Sequence, residues 1–275
     1  MYRFLLKPKW ILFHLLCLGL VVLMVNLGFW QLHRLQDRRS FNAEVTERAA
    51  IPVSPYADVV QPGTDPDTVQ WRRIIATGTY LPDEQLIEVN RSQGGAPGVN
   101  VVTPMRLDDG TVLVVNRGFA PSPDMTNAEA PPAPTGPVEI EGRLRVSEER
   151  SFGAFTEPDG ELTQIQRIDV ARLAPQLPTP LAPVYADLIA SKPTDGGGGG
   201  LTPVPEPVLS EGPHLAYMFQ WWFFSLCVVA GWVIAVRRSV GQRRRDAAQA
   251  LSAADGRTEP GSPSPDDDEP ATAPN

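Results

Sequence analysis

Two apolar spans, Trp10–Trp30 and Leu215–Val236, stand near the two ends of this 275-residue chain, and neither contains Asp, Glu, Lys or Arg. A helix rising ~1.5 Å per residue needs ~20 such residues to cross a ~30 Å hydrocarbon core, so both are expected to be transmembrane helices. The first is longer than the ~7–15-residue apolar region of a secretory signal, and no Ala-x-Ala-like site follows Trp30. It is therefore read as a retained anchor. This frame predicts a membrane protein in which two transmembrane α-helices flank an extracytoplasmic α+β domain, dominated by an antiparallel sheet or a small barrel.

Basic flanks set the expected orientation, because Lys and Arg stay on the cytoplasmic side. Arg3, Lys7 and Lys9 precede the first span, and Arg237, Arg238, Arg243, Arg244 and Arg245 follow the second. Arg34, Arg38 and Arg39 weaken this bias without reversing it. The reading places both termini in the cytoplasm and the central region outside a plasma membrane. Expected boundaries are a cytoplasmic N-terminus over 1–9, helices over 10–31 and 214–236, a domain over 32–213 and a cytoplasmic tail over 237–275. The central region holds 15 Lys+Arg against 25 Asp+Glu. Such an acidic loop is not held to nucleic acid by charge, and no zinc spacing or basic aromatic patch appears.

Within the domain, residues 32–50 continue the first anchor as a polar helix, and a Pro/Gly/Asp-rich connector runs from Pro52 to Thr68. β-branched and aromatic runs predict strands over Trp71–Tyr80, Gln85–Arg91, Asn100–Leu107, Thr111–Phe119, Val138–Val146, Thr163–Ile168 and Val184–Ala190, with a short helix over Asp169–Gln176. Asp108-Asp109-Gly110 reads as a hairpin turn. Short turns favour antiparallel pairing. The Gly196–Gly200 run reads as part of a flexible tether over 192–207, and the tail with its acidic run Asp266–Glu269 as disordered.

The three histidines (His14, His33, His214) and two cysteines (Cys17, Cys227) all lie outside the strand region. The commonest nucleophile–base pairs therefore cannot form inside the domain, and no phosphate loop or nucleophile elbow appears. The chain is read as a non-enzyme. The anchors instead bring His33 with Trp30, and His214 with Tyr217, to the outer ends of the two helices, with Phe219, Trp221, Trp222 and Phe223 nearby. An imidazole among aromatics suits an axial haem ligand; an ordinary interfacial aromatic belt is the competing reading. His14 is a lesser functional candidate. Cys17 and Cys227 fall at matched depth, compatible with a disulfide, a soft-metal pair or plain apolar packing.

Four ordered blocks carry a resemblance. They are Leu27-Gly28-Phe29-Trp30-Gln31-Leu32-His33-Arg34; Gly78-Thr79-Tyr80; Asn90-Arg91 through Val102-Thr103-Pro104 to Val114-Val115-Asn116-Arg117-Gly118-Phe119; and His214-Leu215-Ala216-Tyr217 with Trp221-Trp222-Phe223. Together they resemble the Surfeit locus protein 1 family, membrane factors for assembling haem–copper cytochrome c oxidase. The resemblance covers most of Leu27–Val236. It implies a chaperone of the haem-bearing oxidase subunit that aids haem a delivery, with membrane lipid and haem-synthesis enzymes as further partners. In the family a histidine opening the second span is the favoured haem ligand, and His214 occupies that position. Tyr217, Trp221 and Trp30 complete the expected pocket, with His33 as a conditional second ligand. Gly212-Pro213 and Met218-Phe219-Gln220 depart from the commonest pattern. Arg117, Asn116 and Arg91 are expected as partner contacts, although Arg117 equally suits a structural corner. The competing classes are a membrane-anchored sensor or scaffold without haem, and a membrane enzyme.

Overall fold

The structure, a computed structural model, describes residues 2–122, 131–149, 160–194 and 201–255. The expected glycine-rich stretch, Gly196–Gly200, and the acidic run, Asp266–Glu269, lie outside them. The described chain divides into two units, 1–37 with 211–275, and 38–210.

The first helix, α1, spans Pro8–Ala49, so the apolar span and its polar continuation form one element. After it come β1 (Ser54–Pro55), α2 (Tyr56–Val59), α3 (Pro66–Val69), β2 (Arg73–Tyr80), β3 (Leu86–Gln93), β4 (Ala96–Leu107) and β5 (Val112–Pro121). The chain continues through β6 (Pro137–Val146), β7 (Gln164–Ile165), α4 (Val170–Leu173), β8 (Leu181–Lys192) and α5 (His214–Asp255). Helices α1 and α5 are long and apolar enough to cross a membrane, and only 6% of each apolar window is buried. A core helix of a globular domain would be mostly buried.

Five strands close on themselves in the order β2–β6–β8–β5–β4, because β4 pairs with both β5 and β2. At the closing seam Gly78 lies so near the β4 backbone that a Cβ there would sit 2.2 Å from the Arg106 carbonyl oxygen. Only glycine permits that approach. The hairpin turn at Asp108–Gly110 is present, closed by Leu107 N–H donating to Thr111 O at 2.8 Å. β3 adds beside β4, β7 beside β3, and β1 beside β2.

Pairing is not uniformly antiparallel as the short turns suggested. β5 and β8 run parallel, as do β1 with β2 and β3 with β7. Between β5 and β8 the chain makes β6, β7 and α4, which supplies the long crossover that parallel neighbours require.

Ile74, Leu113, Val115, Ile140, Leu144 and Ala186 fill the barrel interior. On the outer face of β4, β5 and β8, a second cluster packs Val102, Val114 and Tyr185 under Leu86, Ile165, Ile168 and the α4 residues Val170 and Leu173. Covering both faces explains why β5 is buried from Val112 through Ala120 rather than alternating. Asp169 caps α4 by accepting from Arg172 N–H at 3.0 Å.

Candidate functional site

In the first unit α1 and α5 run antiparallel, and their contacts follow a helical stripe. Within this unit Gly28, Gln31 and Leu35 are the buried positions on α1, and Met218 and Ser225 on α5, with spacings of three, four and seven. That is the seam of two packed helices, with small residues where backbones come close. Gly28 receives Trp222: a Cβ at Gly28 would lie 2.2 Å from Trp222 Nε1. Phe29 meets the same indole edge-on at 5.6 Å.

His214 is the first residue of α5, and its Nδ1 lies 2.8 Å from Gln31 Oε1. An amide oxygen can only accept, so this contact assigns the proton to Nδ1 in the neutral ring. Nε2 is left with its lone pair and has no hydrogen-bond partner among the described residues. Gly212, at φ +70°, borders the same ring edge; a Cβ there would stand 3.4 Å from Nε2. A side chain at 212 would be strained and would press on the nitrogen that glycine leaves open. The donor set fits a single axial haem ligand held in orientation by a neighbouring hydrogen bond.

His33 is not part of this arrangement. It lies two residues from Gln31, about 200° round the helix, and is exposed. Trp30 is 52% exposed, with the Arg34 guanidinium 5.9 Å from its ring centre. Tyr217 is exposed and Trp221 half-buried against Phe224 of its own helix. The seam thus joins His214 to Gln31, and Trp222 rather than Trp221 to α1. Deeper along the pair, Trp232 Nε1 donates to His14 Nδ1 at 2.8 Å. Cys17 and Cys227 are free thiols.

The three residues expected at a partner surface are engaged within the domain. Arg117, 2% exposed, donates through Nη1 to Gln85 Oε1 (2.9 Å) and Pro131 O (3.0 Å), and through Nη2 to Pro132 O (2.9 Å). This is the geometry of a structural corner. Asn116, 4% exposed, donates to Asp187 Oδ1 at 3.1 Å, and Arg145 donates to Asp187 Oδ2 at 3.1 Å. Burial pushes the Asp187 carboxyl above its ordinary value, with Arg145 acting in the opposite direction. Arg91 is half-buried and pairs with Glu88, which also accepts from Asn100 at 2.8 Å. Burial likewise raises the Glu88 carboxyl despite Arg91 beside it.

The SURF1 family model matches residues 18–226, about three quarters of the chain and both sides of the helix seam. The chain belongs to the SURF1 family. An uncharacterized SURF1-like protein of Mycobacterium bovis is 30% identical over 251 residues, covering 89% of this chain and 90% of the relative. A SURF1-like protein of Monosiga brevicollis is 33% identical over 250 residues, covering 82% and 88%. The SURF1 family is linked to cytochrome c oxidase assembly and is not a known enzyme class.

The sequence blocks that resembled the SURF1 family acquire distinct physical jobs in the fold. Gly28 and Gln31 of the first block line the helix seam, Gly78 closes the barrel, and Asn116 and Arg117 satisfy buried partners. Gln31 is a site residue beyond those expected from the sequence, and Trp222, expected only as one of several nearby aromatics, is the one that packs on α1. The signal for them was the Gly28–Gln31–Leu35 and Met218–Trp222–Ser225 spacing, a seam hidden in spans apolar all round.

Proposed function

We propose that this SURF1-family chain is a non-enzymatic assembly factor for haem–copper cytochrome c oxidase, holding haem a for the haem-bearing subunit through His214. The observation that carries the reading is the His214–Gln31 contact at 2.8 Å, which leaves Nε2 as the free ligand nitrogen at the mouth of a helix pair. In this reading α1 and α5 anchor the chain in the plasma membrane with both termini cytoplasmic and the barrel domain outside. Haem bound there would be cargo, with its iron taken by one imidazole. This chain's own residues orient the ring (Gln31), keep its edge open (Gly212) and close the helices behind it (Gly28, Trp222).

The test is purification from haem-replete cells of wild type beside His214→Ala and His33→Ala. The geometry predicts that His214→Ala loses haem while His33→Ala keeps it. Wild-type haem occupancy in His214→Ala would overturn the ligand assignment. Separately, normal oxidase haem spectra and activity in membranes of a deletion strain, with no second copy of the gene, would overturn the assembly role.

A further inference from the structure

A cleft of about 480 Å³ lies on the outer face of the barrel, against the last turns of α1, wholly within the 38–210 unit. Its size suits a small organic ligand. Val45, Trp71 and Ile189 form an apolar wall, and Arg73, Arg143 and Glu206 supply its charge.

The strand register explains that charge. Arg73 on β2 stands directly opposite Arg143 on β6, Arg143 opposite Asp187 on β8, and Asp187 beside Asn116 on β5. Directly paired residues share a sheet face, so two guanidinium groups lie side by side, an arrangement that costs stability unless anions offset it. Arg73 has its own partner, donating through Nε to Glu141 Oε1 at 2.8 Å. Both oxygens of Asp187 already accept, from Asn116 and from Arg145. Arg143 feels the Asp187 charge across the strand pair but makes no hydrogen bond to it. It is 8% exposed, its Nη1 is buried with no hydrogen-bond partner, and its Nη2 reaches only Glu206 at 4.0 Å. That is well beyond a charge-assisted bond of ~2.7–2.9 Å, and the Glu206 side chain is 91% exposed.

Trp71 is the second observation. It sits at φ +69°, a left-handed conformation that bulky residues avoid, yet it is buried with the Arg145 guanidinium 4.3 Å from its ring centre and Phe41 edge-on at 5.7 Å. Its N–H is fixed to Leu144 O at 2.8 Å. Strain of this kind persists where the surroundings over-determine it and clusters at ligand clamps.

We infer that this cleft binds an amphipathic carboxylate, its apolar body against Val45, Trp71 and Ile189 and its carboxylate on Arg143 in place of Glu206. The site is separate from His214 and does not rest on the haem reading. Glu206 acts as a weak, tethered stand-in that an incoming carboxylate displaces.

The test uses the full chain in nanodiscs with 1-pyrenebutyrate as probe, titrated by fluorescence against an Ala49→Trp blank that fills the cleft and cancels bilayer partition. Specific binding of the carboxylate is expected, with 1-pyrenebutanol at least tenfold weaker. Arg143→Gln is expected to weaken pyrenebutyrate by about ten- to a hundredfold, the worth of a charged hydrogen bond. Glu206→Gln, remote from the core and safe for folding, is expected to tighten it by about two- to fivefold through loss of an exposed competing charge. Equal binding of the alcohol and the acid, binding in the Ala49→Trp blank equal to wild type, or no tightening in Glu206→Gln would overturn the proposal. Displacement of the probe by inorganic phosphate as effectively as by unlabelled carboxylate would overturn its apolar half.

Discussion

Replacing Arg117 by Ala separates the two roles open to this residue, a structural corner or a partner contact. Among the described residues, three acceptors lie within 3.0 Å of its guanidinium: Gln85 Oε1, Pro131 O and Pro132 O. Hydrogen bonds from charged donors are worth ~1.5–3 kcal/mol each, so a simple sum gives ~4.5–9 kcal/mol. Desolvating a buried cation offsets part of this, and water can reach Pro132, which is exposed, once the side chain is gone. The low end, ~4.5 kcal/mol, is the expected loss. With a urea m-value of ~2 kcal/mol/M the unfolding midpoint should fall by ~2 M. Arg117→Lys, which keeps the charge but not the planar fork, should fall about half as far. Pulse proteolysis of the full chain across a urea series reads the domain directly. A midpoint within ~0.5 M of wild type for Arg117→Ala would refute the corner reasoning and return Arg117 to the surface role.

At the helix seam, Gly28→Ala should push Trp222 and the two helices apart, since the new Cβ would fall 2.2 Å from Trp222 Nε1. Spin labels on the two native cysteines, Cys17 and Cys227, would report this as a longer or broader distance distribution; an unchanged one contradicts the packing. Gln31→Leu should lower haem affinity by about ten- to a hundredfold, the usual effect of losing the partner that orients a metal-binding imidazole; wild-type affinity by haem titration would remove Gln31 from the site. Asp187 gives a pH test. Its pKa is raised in the folded state, so above its ordinary value of ~3.9 the folded chain binds the proton more tightly than the unfolded one. Its contribution to stability is therefore full at low pH and lost as pH rises through the raised pKa. The stability of Asp187→Asn relative to wild type should climb as urea midpoints are taken from pH 4 upward, and a flat difference would show that Asp187 does not titrate in this window.

The two apolar helices, the polar continuation of α1 and the strands were legible because each is a local property: a run of uncharged apolar residues, or β-branched stretches broken by Gly, Pro and Asp. The expected strand over Thr111–Phe119 occupies Val112–Pro121, and that over Val138–Val146 occupies Pro137–Val146. The parallel β5–β8 pair was not legible, since strand direction depends on where a long connection returns, and composition carries no trace of that.

The candidate site divides along the same line. By itself the sequence determined that imidazoles sit only in or beside the apolar spans, and that no His or Cys lies among the strands. Tertiary structure decided which imidazole is oriented and by what: at about 100° per residue, Gln31 turns toward His214 while His33, two residues on, turns away. It likewise put Arg73, Arg143 and Asp187 in one row across three strands, leaving Arg143 short of a close acceptor. Charges 70 and 44 positions apart become neighbours only through strand register, a long-range property that no local pattern encodes.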